Sequence, residues 1–430
     1  MKLCIFEDDA SAGLRPVNQL RHTSEIICGA FSLIEKLENF IVRKYEISVH
    51  CRYHLTEICR EKFPKYNINK LFNDDYLFLN SRVIFTKKFI EGLFVTIDEF
   101  KDSAILSGKD MIALHVSANR ISGLKHKVES KSDNNFISIS DVLKLRLKPI
   151  QLSQLDKDET EEIVVLRYPS DMILNHEDQL NKDLEFLFFQ NRSSAMHPRN
   201  VELINKKRIH ISPRCTISPY AVLDASKGDI YISGNTSLEP FSYIVGPAYI
   251  GEYSTVRSGT KLYGPIRIGN YCKVSGELVS SILHSYVNKQ HLGFLGHSYL
   301  CEWVNIGAGA TTSNLKNNYS TISIKLEKNT IDTGSIFLGS IIGDHTKTGI
   351  NSMLNTGTII GISCNLYGSG YQPKTVSSFS WVDAASGKTE KYDLSKAINT
   401  AKISMKRRNV NMSRAYENLL SLHYKNTRVR

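Results

Sequence analysis

The sequence predicts an α/β domain, then a parallel β-helix, then a basic helical tail. Three observations lead to this prediction: strands alternate with helices in the first part, aliphatic residues recur every six positions in the second, and lysine and arginine crowd the end. The 430 residues allow two or three domains. With 41% hydrophobic and 23% charged residues, the chain can bury a core and is not disordered as a whole.

The first part alternates between two hydrophobic periods. Apolar runs over 2–6 and 76–79 predict short buried strands, and 53–62 reads as a helix. A second helix is predicted over 26–37, where apolar residues fall on one helical face. These are Ile26, Ile27, Ala30, Leu33, Ile34 and Leu37. Strands followed by helices predict an α/β domain over 1–190, with a linker over 191–208.

A strict six-residue repeat marks the second part. Its first eight members follow without a miss: Ile232, Leu238, Ile244, Ile250, Val256, Leu262, Ile268 and Val274. Period six fits neither a helix nor simple alternation, but it fits a parallel β-helix in which each hexapeptide gives one strand and one corner. Between Gly228 and Gly370 lie 20 of the 26 glycines, and glycine suits tight corners. The β-helix is expected over 209–372.

The register slips by two residues near 290 and then resumes. After the slip, aliphatic or aromatic residues again recur at multiples of six positions. They are Phe294, Leu300, Ile306, Ile324, Ile336, Ile342, Leu354, Ile360 and Leu366. A loop or irregular coil is therefore expected at the slip. Irregular backbone on a rigid solenoid is a good place for a functional site.

The last segment, 373–430, is expected to be a basic helical tail with helices over 397–408 and 414–424. Residues 396–430 hold nine Lys or Arg against Glu417 alone, a net charge of +8 out of the chain's +11. Such a tail attracts anions, although a solvated basic helix without a partner remains an alternative. The stripe Tyr416, Leu419, Leu420 and His423 is expected to pack on the solenoid or on a neighbouring subunit.

The segment richest in chemistry lies at the slip: Val287-Asn-Lys-Gln-His-Leu-Gly-Phe-Leu-Gly-His-Ser, followed by Asn305-Ile-Gly-Ala-Gly-Ala-Thr-Thr-Ser-Asn314. His291 is the natural general base, because an imidazole titrates near neutral pH. A lone histidine is more often structural, but here the surrounding motif matters. It closely resembles the acetyltransferase domain of bifunctional N-acetylglucosamine-1-phosphate uridyltransferases. The segments 288–318 and 343–351, with the start of the chain from Phe6 to Lys36, look closer still to a divergent bacterial branch of sugar nucleotidyltransferases with a C-terminal β-helix, so this resemblance spans most of the chain.

This resemblance implies a nucleotidyltransferase-like (Rossmann-like) domain, a left-handed β-helix, and acetyl transfer from acetyl-CoA to the amine of a hexosamine phosphate such as glucosamine-1-phosphate. His291 would take the proton from the ammonium group, and Glu277 would orient the base. Arg257, Asn305 and Asn314 would contact the sugar phosphate, and Ser340 would lie beside the thioester. Asn305 and Asn314 could instead be structural asparagines at solenoid corners, and Glu277 a solvated carboxylate.

The chain departs from that family at several positions. Phe294 replaces a tyrosine, Val279 a lysine, and His297 an aspartate. These changes do not alter the residues that acetylation itself would need, but they leave the identity of the amino sugar open.

In the N-terminal half the glycine-rich turn keeps one glycine, and Asn80 stands where an aspartate is expected. Arg15 and Arg21 could contact the phosphates of UTP, and Asn175 matches the segment of the second metal ligand. The cofactors expected are therefore acetyl-CoA and, where the N-terminal site is active, Mg²⁺.

Two alternatives compete with the transferase. Solenoids of this kind also carry zinc in one class of carbonic anhydrases, but the six-residue spacing of His291 and His297 fits that poorly. The second is a non-catalytic scaffold that binds sugar nucleotides, with a degenerate nucleotidyltransferase domain.

The expected partners are small molecules, with no nucleic acid and no membrane span. By resemblance the chain would form a homotrimer with sites between subunits. Eight scattered cysteines without a C-x-x-C pair, and too few leading apolar residues for a signal peptide, predict a cytoplasmic protein.

Overall fold

In a computed structural model the chain divides into two compact units. The structure describes residues 1–41, 45–155, 160, 163–190, 199–326 and 329–429, so 191–198 of the expected linker lie outside the described residues. The N-terminal unit comprises Met1–Leu14, Asn18–Ile26 and Phe31–Tyr168. The β-helix unit comprises Arg15–Val17, Ile27–Ala30 and Pro169–Arg430. Residues 169–190 thus cluster with the β-helix.

The N-terminal unit is built on a mixed sheet. In spatial order its described strands are Asn67–Ile68, Ile47–His50, Lys2–Phe6, Tyr76–Asn80, Asp110–Val116, Ser103–Ser107 and Lys148–Gln151. The first four run parallel, with Lys2–Phe6 between Ile47–His50 and Tyr76–Asn80. Asp110–Val116 then pairs antiparallel with Tyr76–Asn80. A small second pair joins Val83–Ile84 to Val164–Val165. The two expected strands are confirmed, and both are buried on both faces.

Helices cover both faces of this sheet. The α-helices are Leu33–Phe40, Thr56–Lys62, Lys87–Val95, Ala118–Val128 and Ile139–Lys144, and the 3₁₀ turns are Asp9–Leu14, Thr23–Glu25, Tyr53–Leu55 and Leu152–Gln154. The helix predicted over 26–37 is wrong in its first half. The helix begins only at Leu33, because Ser32 caps it and exchanges hydrogen bonds with Glu35. The apolar residues before Ser32 are buried without helical backbone.

The β-helix unit has three parallel faces around one core. The first face holds Glu202–Ile204, Val222–Asp224, Tyr243–Val245, Lys261–Tyr263, Glu277–Val279 and Phe294–Gly296, with Thr311–Thr312 and Met353–Leu354 as a further pair. The second holds Ile209–Ile211, Ile230–Ile232, Ala248–Ile250, Ile266–Ile268, Ile282–Leu283, Tyr299–Leu300, Ser340–Ile342, Thr358–Ile360 and Thr375–Val376. The third holds Thr216–Ile217, Ser237–Leu238, Thr255–Val256, Lys273–Val274, Asn288–Lys289, Lys347–Thr348, Asn365–Tyr367 and Ser380–Asp383, closed by antiparallel Lys388–Lys391.

The six-residue repeat forms the core of this left-handed β-helix, as the sequence predicts. All eight residues from Ile232 to Val274 in that series have no exposed surface. Burying each such side chain contributes about 1.5–3 kcal/mol. The phase fails between 313 and 337, where the chain leaves the coil as an arm with the hairpin Ser323–Leu326 and Asn329–Asp332. Ile336 is therefore 40% exposed, and Leu295 rather than Phe294 fills the core.

The corner between the second and third faces carries a column of aromatic rings. Tyr253, Tyr271, Tyr286, Trp303 and His345 each lie three residues after a second-face strand, and each has a left-handed φ between 57° and 65°. Neighbouring rings stack nearly parallel, with centroids 4.1 Å apart for Tyr286 and Trp303. We call these five residues the aromatic ladder. Their stacking offsets the strain of left-handed backbone at non-glycine residues.

Helices complete the β-helix unit. Helix His176–Gln190, after the short Asp171–Leu174, packs on second-face strands through Leu180 and Leu184, and a 3₁₀ turn spans Lys206–Arg208. The tail forms helices Leu394–Lys406 and Arg414–Asn426, close to the predicted bounds. Its stripe packs on the β-helix of the same chain, where Tyr416 Oη lies 3.0 Å from His345 Nε2. Within the described chain, no helix combines the length and apolar character needed to cross a membrane.

Candidate functional site

The corner between the third and first faces at 290–293 presents His291. Lys289 pairs with Val274 on the third face, and Phe294 pairs with Glu277 on the first. The chain takes five steps from Lys289 to Phe294, as it does from Val256 to Lys261, but only three from Val274 to Glu277. The register slip in the sequence therefore begins at this shortened corner, one coil before His291. His291 and Leu292 are exposed at the longer corner, which we call the His291 loop.

A buried lysine holds the loop from inside the core. Lys289 occupies the inward position that Val256 and Val274 fill in earlier coils, and it is 1% exposed. Its Nζ donates to the carbonyl oxygens of His291 at 2.8 Å and Ser275 at 3.0 Å. Burial lowers the pKa of Lys289 to about 8. Sequence reasoning missed this residue, because the register slip before it hides that position 289 points inward.

Glycines let the coils stack tightly under the loop. Gly276 has a φ of +88°, and a Cβ there would lie 2.4 Å from the Gly293 carbonyl oxygen. The next residue, Glu277, donates its amide to the same oxygen at 3.2 Å. The Glu277 side chain is half-buried on the first face beside Phe294. Among the described residues, no hydrogen bond joins its carboxylate to the His291 ring.

Two other candidates lie near this corner. Arg257 follows third-face strand Thr255–Val256 two coils before the loop, and its Nη1 contacts Glu239 Oε1 at 2.9 Å. Asn305 lies on the third face between Asn288 and Lys347, and its Oδ1 accepts from Asn288 Nδ2 at 2.7 Å. Asn305 also lines a cavity together with Gln290, the neighbour of His291. His291, Asn305 and Arg257 therefore share one side of the prism.

Asn314 and Ser340 lie around the next corner. Asn314 Nδ2 donates to Nδ1 of His297 at 2.8 Å, and the His297 ring stacks on Phe337 with centroids 5.0 Å apart. Burial lowers the pKa of His297 to about 4, so this imidazole is neutral at physiological pH. Ser340 is fully buried, and its amide donates to Ser298 Oγ at 2.9 Å. Strand Phe294–Gly296 separates this group from the His291 loop.

In the N-terminal unit, the carboxylate at the end of the first strand is fully occupied. Asp8 Oδ1 accepts from Arg82 Nε at 2.7 Å, and Asp8 Oδ2 accepts from Arg82 Nη2 at 2.6 Å and Asn80 Nδ2 at 2.9 Å. Arg82 also contacts Asp110 at 2.8 Å. Burial disfavours the Arg82 charge, but Asp8 and Asp110 outweigh it and raise the pKa of Arg82. Asn80, which stands where an aspartate is expected, belongs to the same hydrogen-bond network as this ion pair.

The carboxylate of the adjacent Glu7 is also bound by an arginine. It forms a fully buried bidentate pair with Arg52, at 3.0 and 3.1 Å. Burial alone would raise the pKa of Glu7, but attraction by Arg52 and His22 lowers it well below the usual range. Arg52 also donates to the Arg21 carbonyl at 3.0 Å. Arg21 itself is 2% exposed.

Neither Asn175 nor Asn80 with its neighbour Asp8 fits Mg²⁺. A hard cation needs carboxylate oxygens that are free to coordinate it. Asp8 is held by Arg82, Asn80 donates to Asp8, and Asn175 Nδ2 donates to the Asp171 carbonyl at 2.7 Å. Arg15 is exposed and, like Asn175, belongs to the β-helix unit. The described chain holds no cluster of three histidine, cysteine or acidic residues suited to a metal.

The zinc alternative, for which His284 is a third candidate beside His291 and His297, finds no support among the described residues. His284 Nε2 lies 2.6 Å from Tyr299 Oη, His297 is bound to Asn314, and His291 is exposed on its loop. The three histidines therefore have separate surroundings within the described chain.

Comparison with known proteins agrees with the two-part organisation. Residues 3–191 match a family described as sugar nucleotidyl transferase. The chain is 31% identical over 147 residues to a bifunctional sugar-1-phosphate nucleotidylyltransferase/acetyltransferase of Sulfurisphaera tokodaii, covering 33% of this chain and 36% of that protein. It is 29% identical over 163 residues to the bifunctional protein GlmU of Synechococcus elongatus, covering 35% and 29%. The matched segment thus spans about a third of these relatives.

Solved structures of hexapeptide proteins are also similar. A hexapeptide transferase family protein from Anaplasma phagocytophilum matches with a TM-score of 0.21 and 14% identity, covering 53% of this chain and 99% of that one. The UDP-N-acetylglucosamine acyltransferase of Francisella novicida matches with a TM-score of 0.22 and 13% identity, covering 50% and 71%. The fold assignment rests on the strand pairing described above. The name of the Sulfurisphaera tokodaii relative includes both a nucleotidylyltransferase and an acetyltransferase.

Proposed function

We propose that the β-helix unit transfers an acetyl group from acetyl-CoA to the amine of a hexosamine phosphate, with His291 as general base. One observation carries the proposal: an imidazole is exposed at a corner that is two residues longer than the corner of the preceding coil, and buried Lys289 anchors that corner by donating to the His291 carbonyl. The relatives whose names include acetyltransferase and GlmU support the same chemistry.

The proposed reaction needs one base and no metal. His291 takes a proton from the sugar ammonium group, and the free amine then attacks the thioester carbonyl. The new amide C–N bond forms as the C–S bond breaks, and the sulfur leaves as the thiol of CoA after it regains a proton. A base with a pKa near neutrality is suited to such transfer. Glu277, whose amide already binds the Gly293 carbonyl of this loop, is proposed as the carboxylate that orients the ring.

The substrate contacts divide into two groups. Asn305 and Arg257 lie on the same side of the prism as His291 and are proposed to bind the sugar phosphate. Asn314 and Ser340 lie around the next corner, beyond strand Phe294–Gly296. A site that uses both groups would need two chains, so we propose a homotrimer in which neighbouring subunits each supply one group.

For the N-terminal unit we propose a non-catalytic role, such as binding a sugar nucleotide. The family match of residues 3–191 indicates a nucleotidyltransferase-type domain. Two features favour binding over nucleotidyl transfer: Asn80 stands where an aspartate is expected, and the neighbouring Asp8 carboxylate is occupied by Arg82, so that few carboxylate oxygens are left for Mg²⁺. Incorporation of label from UTP into a nucleotide sugar, with Mg²⁺ present, would contradict this part of the proposal.

The acetyltransferase is tested by thiol release from acetyl-CoA with glucosamine-1-phosphate and other hexosamine phosphates. We expect His291→Ala to lose activity about 10²-fold or more. The matched control is His126→Ala, an exposed histidine in the N-terminal unit, which should retain full activity. Absence of turnover by the wild-type chain with all acceptors would refute the proposal and favour a scaffold.

A further inference from the structure

A basic cavity lies beside the His291 loop, between the third face and the tail. It measures about 410 Å³ and is lined by third-face residues together with helix Leu394–Lys406 and the two residues that follow it. Four of the lining side chains are cationic: Lys273, Lys347, Arg407 and Arg408. Among the described residues that line it, none is a carboxylate. Its volume falls within the range of small-molecule sites.

The cations of this cavity lie close enough to repel one another, and no carboxylate among the described lining residues offsets that repulsion. Burial lowers the pKa of Lys273 first, and Arg408, Arg257 and Arg407 lower it further. Burial lowers the pKa of Lys347 to about 8, and burial followed by Arg407 lowers that of Arg408. Lys273, Lys347 and Arg408 are half-buried, where like charges are costly unless a counter-charge joins them. A bound anion would supply that charge.

Two aromatic residues that line the cavity indicate which kind of anion it can bind. Tyr286 and Trp303 line the cavity, but each ring has both faces covered within the aromatic ladder, by Tyr271, by each other and by His345. They can therefore offer only their edges, which carry the positive part of the ring quadrupole. A nucleobase or another flat ring would find no free face for stacking. Ring edges and cations together suit a phosphoryl group.

Hydrogen-bond donors are also in place. Asn288 Nδ2 donates to Asn305 Oδ1, which leaves the Asn305 amide nitrogen to face a ligand. Lys347 Nζ donates to the Trp303 carbonyl at 2.5 Å and is fixed in position by that bond. Charge-assisted hydrogen bonds to phosphate are among the stronger ones in proteins.

We propose that this cavity is a phosphate site that binds the phosphoryl groups of one substrate, through Lys273, Lys347 and Arg408. The proposal deepens the proposed function and rests on it for the choice between two sources of phosphate, the hexosamine phosphate and CoA. The tail is then part of the binding site, since two of the cations come from it.

The test is calorimetric titration of the full chain with pyrophosphate and with inorganic phosphate. The Lys273→Gln/Arg408→Gln double variant should bind pyrophosphate at least tenfold more weakly than the wild type. The control Lys261→Gln, an exposed lysine of the first face, should match the wild type. No detectable pyrophosphate binding by the wild type, or equal binding by the double variant, would overturn the proposal.

Paired ligands then identify the source. Glucosamine-1-phosphate is compared with glucosamine, and CoA with pantetheine, which lacks its phosphates. In one of the two pairs, the double variant should bind only the phosphorylated member more weakly than the wild type does, and that member is the natural source of the phosphate. If the double variant binds both phosphorylated ligands as tightly as the wild type does, the proposal is overturned. The titrations measure binding and not turnover, so their outcome is independent of the acetyl-transfer assay. Pyrophosphate binding by a chain that shows no acetyl transfer in that assay would refute only the proposed function. Acetyl transfer without pyrophosphate binding would refute only the phosphate site.

Discussion

Lys289 allows a direct measurement of what a buried ammonium group costs the β-helix. The change is Lys289→Met, which keeps an unbranched chain of similar length and removes the charge. At pH 7 the ammonium is protonated in both folded and unfolded chains. Its pKa is about 8 in the folded protein, against an ordinary value of 10.5. The difference corresponds to about 3 kcal/mol at pH 7.

The sign of the pH dependence follows from proton counting. Between pH 8 and 10.5 the unfolded chain holds the proton more tightly than the folded chain does, so the wild type gains stability as the pH rises. The Lys289→Met variant has no titrating group at this position and lacks this gain. Any advantage of the variant over the wild type should therefore shrink by about 2.5 kcal/mol between pH 7 and pH 10. Lost hydrogen bonds to Ser275 and His291 add a constant that does not depend on pH.

The assay is thermal unfolding of the full chain by far-UV circular dichroism at pH 7, 8, 9 and 10, at fixed protein concentration. A change of 2.5 kcal/mol corresponds to a shift of about 5–10 °C in the Tm difference between variant and wild type. Exposed Lys261→Met is the control and should show a constant difference. If the Lys289→Met difference also stays constant across this range, the ammonium does not bear the burial cost and the reasoning is refuted.

Two further changes test other parts of the structure. Arg82→Met should lower the free energy of unfolding of the N-terminal unit by about 3–5 kcal/mol in urea, because it leaves Asp8 buried without its partner. The control Arg60→Met, at an exposed arginine, should change it by less than about 0.5 kcal/mol. Equal effects of the two changes would contradict this account. Gly276→Ala should cost more than Gly387→Ala in the same measurement. Both glycines have a left-handed φ, which costs an alanine about 1–2 kcal/mol. Of the two, only Gly276 would place the new Cβ against a carbonyl oxygen, at 2.4 Å. Equal losses of stability in the two variants would show that this steric contact adds nothing.

The β-helix could be predicted from sequence because each coil repeats the same physical demand. One aliphatic residue per hexapeptide must point inward, so the repeat is visible in the sequence, and its slip marks the shortened corner one coil before the His291 loop. Lys289 escaped prediction because a lysine in a broken phase reads as an outward residue. The hairpin arm escaped because Ile324 keeps the phase by coincidence while the chain has already left the coil.

The N-terminal unit shows a different limit. Its strands were readable, but the Asp8–Arg82 pair joins residues 74 positions apart, and no local pattern announces it. Helix formation over 26–32 was predicted from apolar spacing that burial in a non-helical segment satisfies equally well. The placement of Arg257, Asn305, Asn314 and Ser340 in one site remains a prediction, since one chain brings only part of this set together.

The aromatic ladder bears on how such a solenoid can acquire new loops. Every coil turns the ladder's corner with the same number of residues, whereas the lengths of the other two corners vary. One of them is two residues shorter before Glu277 than in the neighbouring coils, and the other holds the hairpin arm. An inserted residue at the ladder would separate stacked rings and shift the left-handed position. The other corners have no such continuous column within the described chain, so they can accept insertions without disturbing neighbouring coils. One corner of the prism thus preserves the spacing of the coils, which frees the remaining two for evolutionary variation and for engineered loop grafts.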